Sequence, residues 1–366
     1  MTSQVRKCRN WVCGAFFLGK KFAVSEKSIT FASVLKTAPR GGAVVARWAH
    51  NPKAGGSIPS PATNQGGQHC SPFFIYLSIV EIYTLKSMIT RCYLEITNIC
   101  NLNCLFCPKT DREKRTLSVQ EFDCLTERLR GQVKFLYFHL MGEPFLHPHL
   151  PQFIAMAREK GFVPVLTTNG TLLTRGAAVI EAAPHKVQVS LHSHEGNAKG
   201  NLEQYVRDAV EFAKAAAERG TVVVLRLWNQ GGYEKSNGEI LNIIESLLPR
   251  PWSERYYGCQ LANNIYLEFD KMFSWPDSDA EECAAEESFC YALRNQVGVL
   301  VDGTVVPCCL DHNGDIPLGN LFEQPLQEIL ASPRARAIYD GFSRHKAVES
   351  LCRRCGYANV TKRFRK

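Results

Sequence analysis

No apolar run in this 366-residue chain is long enough to cross a bilayer. The best candidate, Phe73-Phe-Ile-Tyr-Leu-Ser-Ile-Val80, is stopped by Glu81. A secretory leader with its cleavage pattern is also missing, so the 15 cysteines are not read as a disulfide framework. Net charge is missing from most of the chain as well. Residues 1–87 carry 11 of the 43 Lys and Arg and 2 of the 35 acids, which leaves 32 basic against 33 acidic residues for the remainder. The overall +8 therefore belongs to the leader, and it argues against a nucleic-acid partner. What is left is a cytoplasmic protein, with no membrane association, that uses many thiols for metal ligation.

Three of those thiols crowd into eight residues, Cys100-Asn-Leu-Asn-Cys104-Leu-Phe-Cys107, spaced C-x3-C-x2-C. The preceding Tyr93-Leu-Glu-Ile-Thr-Asn98 alternates apolar and polar residues as a strand does. The thiols thus sit on a loop at the C-terminal end of a first strand. A structural zinc site closes with four ligands, usually from paired C-x2-C knuckles. Three thiolates can instead hold three irons of a [4Fe–4S] cube and leave the fourth iron open to a small molecule.

This spacing, with Phe106 just before the third cysteine, resembles the radical S-adenosylmethionine (radical SAM) superfamily, and the resemblance runs from about Met88 to the end. It implies that SAM chelates the open iron and is split by one electron into a radical that takes a substrate hydrogen. It also implies an external electron donor such as flavodoxin or ferredoxin.

Residues 1–87 show no sustained period, and Gly, Pro, Ser and Asn crowd residues 51–72. Gly56-Ser-Ile-Pro59 is encodable as GGT-TCG-ATT-CCC, which contains the GTTCGATTCC of a tRNA T-arm. The expectation is an unstructured leader read through a tRNA gene, with the true start at Met88; a genuine disordered basic leader is the alternative. Cys8, Cys13 and Cys70 are placed in no site.

From Met88 to about 280, strands alternate with helices. Strands are expected near 93–98, 133–140, 163–168, 187–191, 221–228 and 265–269, with helices from Ser118, Pro148, Thr174, Asn201 and Glu239. Ser118 and Glu121 form a capping-box pattern, and Gly161 ends the second helix. Such alternation implies right-handed crossovers and a parallel sheet. Six repeats suit the α/β partial (β/α)6 barrel that the resemblance implies, with its site at the C-terminal strand ends.

Several residues fall at those ends. Met141-Gly-Glu-Pro144 resembles the superfamily's GGEP motif with Met in place of the first Gly, which implies that Met141, Gly142 and Glu143 contact the SAM ammonium; the alternative is a tight turn. Thr167-Thr-Asn169-Gly170 and Ser190 end strands three and four, where the resemblance places SAM. His192 and His194 follow, and a surface-loop position is expected for them; the alternative is a supporting donor or a substrate acid or base. Arg226 lies in an apolar strand and must be paired: by a carboxylate of SAM or of substrate, or by Glu95 or Glu268.

The C-terminal part, 281–366, holds Cys290, then two apolar runs around Asp302-Gly303, read as a hairpin with a type I′ turn, then Cys308-Cys309 and Cys352-Arg-Arg-Cys355. A helix is expected from about Pro325. The block resembles the SPASM/twitch type of small α+β auxiliary domain, which implies one auxiliary [4Fe–4S] cluster on Cys290, Cys308, Cys352 and Cys355. Cys309 stands as an alternative for Cys308, and Cys283 for Cys290. A four-thiolate zinc site is the bland alternative. Cys92, Cys124 and Cys259 read as core or incidental thiols.

The expected function is a radical SAM enzyme whose auxiliary cluster assists oxidation or modification of a peptide or small molecule. The competing class is a non-catalytic zinc or iron–sulfur protein, or a radical SAM core with structural zinc. Iron content separates them, at about 8 Fe per chain for two four-iron clusters.

Overall fold

A computed structural model of the chain describes residues 89–197, 200–282 and 288–357. All of them fall in one compact unit, 70–366. The leader, its three cysteines, the apolar run Phe73–Val80 and Cys283 lie outside the described residues.

The strands are β1 (Arg91–Leu94), β2 (Phe135–Tyr137), β3 (Val163–Thr168), β4 (Lys186–Ser190), β5 (Val222–Gln230), β6 (Ser253–Arg255), β7 (Gly258–Ala262), β8 (Ile265–Lys271), β9 (Gln296–Val299), β10 (Thr304–Val306) and β11 (Gly319–Asn320). They form one sheet ordered β11-β10-β9-β1-β2-β3-β4-β5-β8-β7-β6. The six expected strands are β1–β5 and β8, parallel and neighbouring in chain order. Sequence reading missed the β6–β7 hairpin, which adds antiparallel to β8. It also missed that β9 pairs parallel with β1, so the auxiliary hairpin continues the core sheet.

The crossover helices are α1 (Val119–Leu129), α2 (Leu150–Glu159), α3 (Ala177–Ala182), α4 (Leu202–Glu218) and α5 (Asn237–Leu247). Ser118 and Glu121 cap α1 reciprocally, as the pattern predicts. Helix α4 buries Tyr205, Val206, Ala209, Val210, Phe212, Ala213 and Ala216 on one face. That stripe packs with sheet residues such as Val187, Val189, Val223 and Leu225 in a single large core. The C-terminal helix is broken in two, α6 (Leu326–Leu330) and α7 (Pro333–Ser343), because Ser332 caps a new start and Pro333 cannot continue the old helix. A last short helix, α8, spans Ser350–Arg353.

The hairpin turn is not type I′. Gly303 alone has positive φ, +86°, and its N–H bonds Leu300 O at 2.9 Å, closing a four-residue turn before β10. Type I′ would need a second left-handed residue, and Asp302 is not one.

Candidate iron–sulfur and cofactor site

The cysteine loop leaves β1 at its C-terminal end and is tied shut at its base. Thr97 Oγ1 meets Thr116 Oγ1 at 2.9 Å, and Asn98 bonds both Glu113 O (2.7 Å) and Arg115 N (2.8 Å). Inside this closure, Cys107 N donates to Cys104 O at 3.2 Å, turning the three thiols into one short arc. Lys109 Nζ caps the carbonyls of Cys104 and Cys107.

The loop is cradled by the segment that follows β4. Leu105 N donates to Gly196 O at 3.1 Å, and Asn103 N to Asn197 Oδ1 at 2.9 Å. Asn197 Nδ2 points at Cys104 Sγ, 2.9 Å away, and Asn169 Nδ2 lies 3.8 Å from Cys100 Sγ. Burial is the main cause that raises the thiols of Cys100 and Cys104, and their neighbours in the loop add to it. A metal would displace those protons. The donor set therefore fits a cluster held at its edge: three sulfur ligands with amide donors already aimed at two of them. Among the described residues no three His, Cys, Asp or Glu side chains are gathered for a single metal ion. A four-iron cube spreads its thiolates over several metal atoms.

The expected cofactor residues surround this arc. Phe106 packs its ring 5.1 Å from His192 and 6.1 Å from Tyr233. Gly142 has φ +80°, and a Cβ there would lie 2.3 Å from Thr97 O, so the close approach it permits is to the backbone at the root of the cysteine loop. Glu143 is buried, with Oε1 accepting from Thr168 Oγ1 (2.7 Å) and Phe145 N (3.0 Å), and Oε2 from Asn169 N (2.7 Å). It locks the turn after β2 to the end of β3. Burial pushes its carboxyl up to about 7 against those bonds.

Ser190 and Arg226 are register partners on β4 and β5, with Arg226 Nη2 3.4 Å from Ser190 Oγ. Glu95 is not the partner of Arg226; it pairs with Arg112 instead. Glu268 is the register partner of Arg226 on β8 and acts on it electrostatically. His192 is not a surface residue: it is buried, its Nδ1 lies 3.1 Å from Arg226 O, and burial lowers its ring to about 4. Sequence reading missed Asn197, whose only signal was its place after Gly196. It also missed His139, inside an otherwise apolar strand end.

The second group of thiols comes together from distant sequence. Burial raises Cys308 well above the ordinary thiol range, and the charges of Cys309, then Cys290, Cys352 and Cys355, add to it. Cys309 packs with the cluster of Leu140, Leu300 and Val306 and is hydrogen-bonded to Tyr93; the charges of Cys290 and Cys355 reach it too, but Cys352 is not among its neighbours. Of the remaining thiols, Cys92 is buried in the core and Cys124 is exposed.

Two family models match the chain, the radical SAM superfamily over residues 94–244 and the SPASM iron–sulfur cluster-binding domain over 290–356. A tungsten-containing aldehyde ferredoxin oxidoreductase cofactor-modifying protein of Pyrococcus furiosus is 37% identical over 22% of this chain and 24% of its own length. An S-adenosyl-L-methionine-dependent 2-deoxy-scyllo-inosamine dehydrogenase of Niallia circulans is 24% identical over 73% of this chain and 92% of its own. Among solved structures, Streptococcus suis SuiB bound to its precursor peptide SuiA shares the fold, with a TM-score of 0.52 at 16% identity, covering 84% of this chain and 82% of that one. The chain spans less than half of the length of several curated relatives that it matches. No described helix is long and apolar enough to cross a membrane.

Proposed function

Since the chain belongs to the radical SAM superfamily, we propose that it cleaves SAM reductively at a cluster on Cys100, Cys104 and Cys107 and oxidises or otherwise modifies a polar substrate held in the barrel. The observation that carries this reading is the arc of three thiols at the end of β1, with the amide of Asn197 on Cys104 Sγ and the ends of β2, β3 and β4 converging beside it. When bound, the cluster supplies one electron to the SAM sulfonium, and the resulting radical takes a substrate hydrogen.

The residues divide by position. Met141, Gly142 and Glu143 offer backbone groups and a buried carboxyl beside the cysteine loop, where the SAM amino group would lie. Asn169 and Ser190 line the next two strand ends, and Phe106 packs over the loop. We assign Arg226, one strand farther round, to substrate. Cys290, Cys308, Cys352 and Cys355 would hold the auxiliary [4Fe–4S] cluster, with Cys308 preferred to Cys309 because all three other thiols act on it, whereas Cys352 does not act on Cys309. The match to an iron–sulfur cluster-binding model leaves the zinc alternative without support.

The substrate is a small molecule or a peptide, the classes named for the inosamine dehydrogenase and for SuiB. The electron donor is flavodoxin- or ferredoxin-like. Anaerobic reconstitution is expected to give about 8 Fe per chain and 5′-deoxyadenosine on reduction with SAM. Protein with no iron–sulfur centre, or with no 5′-deoxyadenosine formed, contradicts the proposal.

A further inference from the structure

Among the described residues, the buried polar atoms in the barrel left without a partner include Nδ1 of His139 and Nε of Arg226. Both lie by the Tyr93–Tyr137 pair, and the charge of Arg226 acts on His139. Tyr93 and Tyr137 are register partners on β1 and β2, with rings stacked at 4.6 Å. His139 lies two residues beyond Tyr137, on the same side of the chain, edge-on to Tyr93 at 5.4 Å. Across the barrel, Arg226 lies over Trp228 with its guanidinium carbon 3.9 Å from the ring centroid. The nearby charges that act on it are Glu268, then Tyr93, Cys309 and Tyr137. From the auxiliary side, Leu300 and Val306 pack against Tyr93.

A buried donor without an acceptor costs roughly 1–3 kcal/mol. The contact with the Trp228 ring holds the guanidinium in place. The charge balance limits what can sit there. Arg226 is offset by Glu268, and His139 is kept neutral by burial and then by Arg226, which push its ring down to about 3. The other facing groups are phenols and a thiol. A phosphate or sulfate is normally met by more than one cationic or backbone donor, and here the one cation is already offset.

We propose that Arg226 Nε and His139 Nδ1 together bind an uncharged hydroxyl or carbonyl oxygen of a small polyhydroxylated substrate. This rests on the radical SAM reading above. His139 is thereby a substrate contact, and Glu268 sets the site's preference for uncharged ligands.

The test uses reconstituted holoenzyme with SAM, a chemical reductant and two probes, C-deuterated myo-inositol and C-deuterated myo-inositol 1-phosphate. The readout is the fraction of 5′-deoxyadenosine that carries deuterium. Transfer from myo-inositol is expected to exceed transfer from the phosphate severalfold. R226M and H139F are each expected to lower that fraction about tenfold or more, as is R226K, which keeps the charge and loses the Nε–H. E268Q is expected to turn the preference toward the phosphate. Equal or greater transfer from the phosphate in the wild type overturns the proposal. So does 5′-deoxyadenosine without deuterium from either probe, or a fraction unchanged in both R226M and H139F. If no 5′-deoxyadenosine forms at all, the proposed function fails instead. Equilibrium dialysis of myo-inositol then decides the site: retention that R226M and H139F abolish supports it, and no retention by the wild type overturns it.

Discussion

Arg112 Nη2 lies 2.6 Å from Glu95 Oε1, and this partly buried pair ties four separate parts of the chain together. Glu95 is fully buried at the end of β1. It also accepts from Met141 N at 3.2 Å and from Val301 N in the auxiliary hairpin at 3.0 Å. Arg112, in the loop after the three cysteines, also donates through Nε to His312 O at 3.0 Å. One carboxylate thus holds the turn after β2, the cysteine loop and the C-terminal part in fixed relation.

Breaking that pair from the cation side is the costlier route. R112M leaves a buried carboxylate whose remaining donors are neutral amides, a loss of about 3–5 kcal/mol. E95Q/R112M removes both charges and is expected to recover part of that loss, with a coupling of about 1–3 kcal/mol. Urea unfolding of the two single variants and the double variant checks it. Strict additivity would mean that the pair contributes nothing as a pair.

Asn197 is expected to tune the potential of the first cluster. Its amide is pinned by Asn103 N on Oδ1 and by Ser193 O, 2.7 Å from Nδ2, so the Nδ2 contact to Cys104 Sγ is preset. Hydrogen bonds to cluster sulfurs favour the reduced, more negative state. N197A should keep its iron and show a more negative reduction potential in an anaerobic redox titration. An unchanged potential in iron-loaded N197A contradicts this.

Much of this was legible in the sequence because it is written in local periods. The six parallel strands, the Ser118–Glu121 cap and the cysteine spacing all follow from neighbours within a few residues. The pairing of β9 with β1 joins residues about 200 apart, and no local pattern carries such a register. Arg226 was recognisably in need of a partner, yet Glu95 had been taken by an arginine from a loop with no strand signal. His192 read as a loop residue because its burial comes from the barrel closing around it. Cys308 and Cys309 are adjacent, so only the fold separates the thiol facing Cys352 from the one facing Tyr93.

Removing single thiols should separate the two iron sites. C104A is expected to lose the first cluster and all 5′-deoxyadenosine formation, while C352A keeps that activity and loses about 4 Fe. Iron and sulfide analysis with product chromatography measures both. C352A with undiminished iron would contradict the assignment of the auxiliary ligands. C309A is expected to keep its full iron content, in contrast to C308A.

Two glycines of similar backbone conformation should respond differently to alanine. Gly161 has φ +86° with nothing within 4 Å of a Cβ, so G161A pays backbone strain alone, about 1–2 kcal/mol. Gly142 has φ +80° and would press a Cβ to 2.3 Å from Thr97 O, where only backbone can yield. G142A is therefore expected to be the more destabilised of the two in chemical denaturation. It should also lower SAM affinity, since the shift falls at the root of the cysteine loop. Equal losses for the two variants would show that the contact at Thr97 is relieved without cost.

Glu143 should give stability a pH dependence of known sign. Burial raises its carboxyl from an ordinary 4.5 to about 7, while bonds from Asn169 N, Thr168 Oγ1 and Phe145 N only partly oppose this. The folded state therefore holds this proton over a range in which the unfolded chain has released it. A raised carboxyl contributes fully below the unfolded value, and its contribution declines as pH climbs through the folded value. The window runs from 4.5 to about 7. E143Q cannot titrate, and its amide NH2 faces the donors of β3 and the turn, so it carries a constant cost. The advantage of wild type over E143Q should accordingly shrink between about pH 5 and about pH 7.5, as read from urea midpoints of the cluster-free proteins. A difference that stays level across that range would mean that Glu143 is already ionised throughout, held so by its three donors.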